Sequence, residues 1–383
     1  MNLMLNTSDL DDIRPFEGEE VKEALERISK DPRFFDVLEH LFPEVPREKE
    51  QETLLSDRST YDFQRDFMHK GIRRILDQSS DGLSYEGFQY LDPEQPYLFI
   101  ANHRDIFLDS GILEILLFEH GIDTTEITFG SNLMNDPLLY DVGKVNKMFT
   151  VYREGSGRGK YENSKRLSAY IRHAITEKRN SVWIAQRDGR TKNGDDRTHP
   201  AVLKMLCSSG SQDDLEENLR ELDIVPLTIS YEFEPCDRYK VKELYHSEYL
   251  GRPYTKEKGE DLKQIVEGVT GQKGHVHMAV GMPLSEEIPA IMGSGRYGEK
   301  IQELASMIDN SIHDNFKLWP SNHLAYDQLF GTEKYAGQYE GADKERFEDR
   351  KEEVLSGLEG DRKVLLDYFL RIYANPVVNK ERL

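Results

Sequence analysis

The hydrophobic pattern of the chain changes period twice. Up to about residue 85, apolar residues recur at helical spacing. Val21, Leu25 and Ile28 share one face, Phe35, Leu38 and Leu41–Phe42 a second, and Phe63, Phe67, Ile72 and Ile75–Leu76 a third. Pro43 and Pro46 separate the second of these helices from the third. Near Gly82 the period shortens. Residues 83–88 alternate as a strand does, and Tyr97–Ala101 is a continuous apolar run of the kind found in strands buried on both faces.

Further apolar runs follow at 127–129, 148–151, 181–185, 224–229 and 276–280, with helical patterns between several of them at 111–120, 161–178 and 215–222. This alternation predicts an α/β fold, a mixed sheet flanked by helices, over about residues 86–290. From about residue 291 the pattern is helical again, with Ile301, Leu304, Met307–Ile308 and Ile312 on one face and Val354, Leu358, Leu365–Leu366 and Phe369 in later helices. The sheet region thus carries a helical N-terminal cap (1–85) and a helical C-terminal extension (291–383). The charge-rich stretch 340–363 reads as a solvated helix or a flexible segment.

Composition narrows the function classes. Phe and Tyr number 36 and Trp 2, enough to build cores in 383 residues, so wholesale disorder is excluded. The net charge of −21 argues against non-specific nucleic-acid binding and against coating an anionic bilayer. The charge is uneven: residues 153–204 hold 13 Lys or Arg against 6 Asp or Glu, which leaves +7 there and −28 elsewhere. Such a stretch suits a phosphorylated or acidic ligand, or equally a solvated helix face. The two cysteines, Cys207 and Cys236, have no metal-like spacing and fit a reducing, cytoplasmic compartment. No signal peptide is read, and no apolar run approaches the roughly 20 residues that span a bilayer. Lipid would be met from the aqueous side, at most as a peripheral contact on the inner face of a membrane.

The most informative stretch is Phe99-Ile100-Ala101-Asn102-His103-Arg104-Asp105-Ile106-Phe107-Leu108-Asp109-Ser110, where a buried strand gives way to a helix. Ligands of α/β sheets bind at the carboxyl ends of strands. A His with carboxylates two and six positions on can be an oriented base: imidazole takes a proton near neutral pH, and a carboxylate on its other nitrogen fixes the tautomer. In the plainer alternative, Asp109 or Ser110 caps the helix and His103 is a hydrogen-bonded loop residue. At about 100° per residue, neither spacing puts both side chains on one helix face, so the pair meets only if a turn intervenes.

Later elements follow in order: Phe149-Thr150-Val151-Tyr152-Arg153, then Arg187-Asp188-Gly189-Arg190, then Val225-Pro226-Leu227. With the Asn102-His103 pair, this order resembles the glycerolipid acyltransferase family, which includes lysophosphatidic acid and glycerol-3-phosphate acyltransferases. The family's motifs are Asn-His with four residues before Asp, an apolar strand ending in Arg, Glu-Gly-Thr-Arg, and an apolar strand containing Pro. Five residues separate His103 from Asp109 here, as in a variant bacterial branch with an Asn-His-Arg-Asp motif, and the third motif is altered.

The resemblance implies that His103 is the general base and Asp109 its orienting carboxylate, with Asp105 the alternative. Asn102, Arg104, Asp105, Arg153, Asp188, Gly189 and Arg190 are implied in substrate binding, the arginines on a phosphate. The implied reaction moves a fatty acyl group from acyl-CoA or acyl-carrier protein to a hydroxyl of a lipid acceptor. It calls for no cofactor, no metal and no protein nucleophile, because a thioester already has a good leaving group. A scaffold or lipid-binding protein on the same fold, or a thioesterase in which His103 activates water, are the competing readings.

Other candidates are weaker. His275 and His277 share a strand face, but no nearby Cys or carboxylate in the sequence completes a metal site. Residues 155–160 lack the spacing of a phosphate loop and read as a flexible loop. Asp195-Asp196 lies in a turn-rich stretch and reads as solvated.

Overall fold

A computed structural model describes residues 10–152, 157–210, 214–293 and 295–383. Each apolar run predicted as a strand is one: β1 (Gly82–Glu86), β2 (Leu98–Ala101), β3 (Glu126–Gly130), β4 (Met148–Val151), β5 (Val182–Ala185), β6 (Ile224–Tyr231) and β7 (His275–Val280). They form one sheet in the order β1-β7-β6-β2-β5-β3-β4. Strands β6, β2, β5, β3 and β4 are parallel neighbours; β7 runs antiparallel to β6, and β1 parallel to β7. The fold is the expected α/β mixed sheet flanked by helices. The sheet starts at Gly82, before the boundary read at 86.

Alternate residues of the strands feed two cores. Phe99, Ala101, Trp183, Val225 and Leu227 enter one, beneath the helices Lys70–Ser79 and Leu108–Glu119. Leu98, Ile100, Val182, Ile184 and Ile224 enter the other, beneath Arg158–Thr176, Pro200–Leu206 and Tyr297–Asn315. Because both faces are covered, the central strands read as unbroken apolar runs. The N-terminal helices bury the faces their spacing predicts, packing Val21, Leu25, Phe35 and Phe63 against Val145. Residues 341–356 are a helix with most of its surface exposed, the first of the two alternatives, and it packs along one edge: Phe347, Val354 and Leu355 are buried with Phe233, Val241, Phe369 and Tyr373 in a further core.

The topology sets the functional crevice. The carboxyl ends of β2, β5 and β6 lie side by side, with Ala101 opposite both Ala185 and Leu227. Strand β6 continues to Tyr231, so its last turns of pleat stand beside the loop that follows β2.

The apolar helix Leu108–Glu119 carries one carboxyl into the core. Glu114 accepts from the Thr125 backbone N–H at 2.8 Å and from its hydroxyl at 2.5 Å, and burial pushes its pKa up to about 7 despite those bonds and the nearby Lys147. The folded protein therefore holds a proton that the unfolded chain releases, and stability falls as pH rises from about 4.5 to about 7. Glu114→Gln should remove that loss. Urea denaturation should show the variant more stable than wild type at pH 8 by up to about 3 kcal/mol, with the gap closing near pH 4.

Candidate active site

The loop after β2 is held at each residue by a different element. Asn102 is buried and continues the β2–β6 pairing with its side chain: Oδ1 accepts from the Ile229 N–H at 2.7 Å, and Nδ2 donates to Ile229 O at 3.0 Å and to Asp196 at 3.1 Å. The His103 carbonyl accepts from the Thr191 N–H at 2.8 Å, and the ring stands edge-on to Trp183 at 5.5 Å. The His103 side chain keeps 15% of its surface exposed, while the residues around it are closed off.

Nδ1 of His103 donates to Oδ2 of Asp109 at 2.8 Å. The same oxygen accepts from the backbone N–H groups of Arg104 at 2.6 Å and Asp105 at 2.9 Å. Oδ1 accepts from the Tyr231 hydroxyl at 2.9 Å. Burial and the carboxylates of Asp109 and Asp105 hold the Tyr231 pKa well above its usual value, so it remains a donor. With Nδ1 protonated toward a carboxylate, Nε2 is left with its lone pair.

Asp105 has a different task. Its Oδ1 accepts from the N–H groups of Phe107 at 2.9 Å and Leu108 at 2.8 Å, the first turn of the helix Leu108–Glu119. Its Oδ2 is pressed under the helix Glu260–Thr270, where a Cβ on Gly268 would sit 2.1 Å away; only glycine allows this approach. The intervening turn that the spacing required is thus residues 104–107, and the carboxylate it brings to His103 is Asp109.

Arg104 does not face the crevice. It is fully buried and pairs with Asp196 at 2.5 Å and Glu234 at 3.0 Å, with its guanidinium 5.2 Å above the Phe316 ring. Lys240 completes the cluster by donating to Glu234 at 2.5 Å and to the Arg104 carbonyl at 2.7 Å. Burial works against the Arg104 charge, but the two carboxylates outweigh it and raise its pKa. Two cations and two anions balance, so Asp196 is a buried structural partner and not the solvated residue its sequence context suggested.

On the β5 side, Asp188 is exposed and Gly189 has φ +71 with open space around it. Arg190 is buried, with one guanidinium nitrogen bonded to Gln264 of the covering helix. Lys192 pairs with Glu243 at 2.9 Å; burial and the neighbouring Arg190 push its pKa down to about 8. Arg153 lies outside the described residues. Five buried polar atoms between residues 183 and 191 have no hydrogen-bond partner among the described residues: Trp183 Nε1, Gln186 Nε2, Arg187 Nε, Arg190 Nη1 and Thr191 Oγ1. All five can donate, and each would cost about 1–3 kcal/mol if left unmet. A ligand rich in acceptor oxygens would satisfy them.

Residues 82–229 match the family model described as acyltransferase. This segment of the chain is similar to that family. It runs from β1 into β6 and contains His103, Asp109, Asp196 and Arg190; Tyr231, Glu234 and Lys240 fall just beyond it. Among solved structures, the chain is similar to the crystal structure of the 1-acyl-sn-glycerophosphate (LPA) acyltransferase PlsC from Thermotoga maritima, with TM-score 0.39 and 11% sequence identity, over 78% of this chain and 95% of that one. No curated protein matches the chain.

Two further expectations change. The carboxylates missing around His275 arrive from the residue before β1 and the residue after β6: Asp81, Glu232 and His275 place ligand atoms within 4.8 Å of one another. Arg346 already supplies the cation, reaching Asp81 at 2.5 Å and Glu232 at 3.7 Å. His277 belongs to a separate contact, with Ser84 at 2.8 Å. The basic stretch also disperses, since Arg166, Arg172, Lys178 and Arg197 each pair with a carboxylate. Of the loop read at 155–160, Gly155 and Ser156 lie outside the described residues, and a helix starts at Arg158.

Arg104→Met tests whether this arginine is a buttress or a ligand contact. It strands Asp196 in the interior and leaves Glu234 to Lys240 alone, and urea denaturation should show a loss of about 3–5 kcal/mol. A variant that folds as wild type does and only raises KM would make Arg104 a substrate contact.

Proposed function

We propose that the chain transfers a fatty acyl group from a thioester donor to a hydroxyl of a lysophospholipid or glycerol-phosphate-like acceptor, with His103 as general base. The observation that carries this reading is the His103–Asp109 pair, with Nε2 free at the end of β2 inside the segment similar to the acyltransferase family. Nε2 takes the proton of the acceptor hydroxyl as its oxygen attacks the thioester carbonyl. The tetrahedral intermediate collapses with loss of the thiolate, which recovers the proton from the imidazolium. Donors after β5 are suited to the oxyanion or to an anionic group of donor or acceptor.

An apolar cavity supports a fatty donor. It lies beside Phe107 and Ser110 and follows the helix Leu108–Glu119 past Gly111 and Ile115 to Phe118, against Ile72. His103 is not among its lining residues, so under this reading an acyl chain would enter it past Phe107 and widen it. No helix among the described residues is long and apolar enough to cross a membrane, which suits an enzyme that meets its lipid acceptor at a bilayer surface. The donor is acyl-CoA or acyl-carrier protein, and no cofactor is required.

His103→Ala should lower transfer by roughly 10²-fold or more with the fold intact. Purified protein would be given each donor with a lyso-lipid acceptor, following both acylated lipid and free fatty acid. Free fatty acid alone would make the protein a thioesterase, and binding without turnover a scaffold. The cavity gives a separate expectation. A Cβ on Gly111 would lie 3.0 Å from Ile72 Cδ1, so Gly111→Ala narrows the cavity. It should reduce kcat/KM several-fold for long-chain donors and leave short-chain donors within about twofold. Equal losses for all chain lengths would mean that the acyl group lies elsewhere.

A further inference from the structure

The two oxygens of Asp109 are occupied unequally. Oδ2 accepts from His103 and from two backbone N–H groups. Among the described residues, Oδ1 accepts only from the Tyr231 hydroxyl, at 2.9 Å. Tyr231 is 2% exposed, and its ring packs in the core shared with Trp183 and Val225. The charges facing its hydroxyl are the carboxylates of Asp109, Asp105 and Glu234, the last neutralised by Arg104 and Lys240. A hydroxyl needed only for solubility of the ring would not be buried against a carboxylate, because an apolar Phe would fill the same space without desolvating an O–H.

The position has a chemical consequence. A carboxylate that shares its negative charge with a second donor binds an imidazolium less tightly. We propose that Tyr231 is a positioning residue that both fixes the rotation of Asp109 and weakens its hold on protonated His103, keeping Nε2 available as a base at lower pH. This rests on the reading of His103 as the base of the acyl transfer. Removal of the hydroxyl frees Oδ1, concentrates charge on the carboxylate and favours the imidazolium. The acidic limb of the reaction then moves to higher pH.

The test follows the His103 ring by NMR titration in the whole protein, together with the pH profile of kcat/KM for acyl transfer. Tyr231→Phe should raise the His103 midpoint by about 0.5–1 pH unit, and the acidic limb should move with it. KM should change less than kcat. Replacement of Tyr231 by 3-fluorotyrosine, a stronger donor of the same shape, should move both the other way. In an Asp109→Asn background neither change should matter, because the path from Tyr231 to His103 runs through that carboxylate. An unmoved midpoint in either Tyr231 variant, or an equal shift with Asn at 109, overturns the proposal. If wild type shows no acyl transfer but the midpoint moves as stated, the coupling stands and the reading of the reaction fails. Should the Phe variant not fold, the fluorotyrosine protein decides alone.

Discussion

One buried carboxylate organises the active site. Asp109 stands six residues after His103, a spacing at which a continuous helix would point the two side chains to different sides. They meet because residues 104–107 turn before the helix starts, and the turn is held by the carboxylate it delivers: the N–H groups of Arg104 and Asp105 both donate to Asp109. Asp105 fixes the other end of the turn by capping the helix that carries Asp109. Strand β6 contributes twice, gripping Asn102 through Ile229 and Asp109 through Tyr231. A register slip of one residue between β2 and β6 would send both contacts to the opposite face.

The buried charges around Arg104 extend that control outward. They join the end of β2, the loop after β5, the end of β6 and the helix Asp237–Leu244 that carries Lys240. That helix is in turn braced from the C-terminal helices. Tyr373 donates to Asp237 at 2.7 Å and accepts from the Glu234 N–H at 3.1 Å, and Arg350 pairs with Asp237 at 2.8 Å. The extension after residue 291 therefore reaches the loop after β2 through two layers of contact. Desolvation makes such a cluster a poor source of net stability, and its value lies in the single arrangement that satisfies all four charges.

Much of this was legible in the sequence where the signal was local. Strands buried in the sheet announce themselves as apolar runs, and β2 to β7 lie where those runs predict, while β1 follows an alternating pattern. The position of His103 was legible because ligands of α/β sheets bind at the carboxyl ends of strands; its residues left Asp105 and Asp109 both open as its partner, the resemblance implied Asp109, and the contact is made by Asp109. What stayed hidden depends on burial and on partners far along the chain. Arg104 has the look of a ligand residue beside a catalytic His; its partners are 92 and 130 residues away, and nothing in its neighbourhood announces them. Asp196 sits in a turn-rich stretch but folds inward to that same arginine. Tyr231 ends a strand whose other residues are apolar, so the pattern marks it as core, and only the position of its hydroxyl gives it a part in the chemistry.

The distribution of unmet donors sets limits on what fills the crevice. Charge along the sequence gathers into a +7 stretch, yet in the fold several of its cations pair with carboxylates of the same chain. The same region also holds five buried donors without a partner among the described residues, one in β5 and four in the loop that follows it. A surface would attract any anion at long range and lose its hold as salt rises. Buried donors act only on a group that enters, loses its water and presents oxygen acceptors at hydrogen-bond distance. Under the proposed reaction, the carbonyl that becomes an oxyanion, or a phosphate oxygen beside it, is such a group. Under the proposed reaction, a strongly negative protein would take an anionic substrate through such buried donors and not through a basic surface.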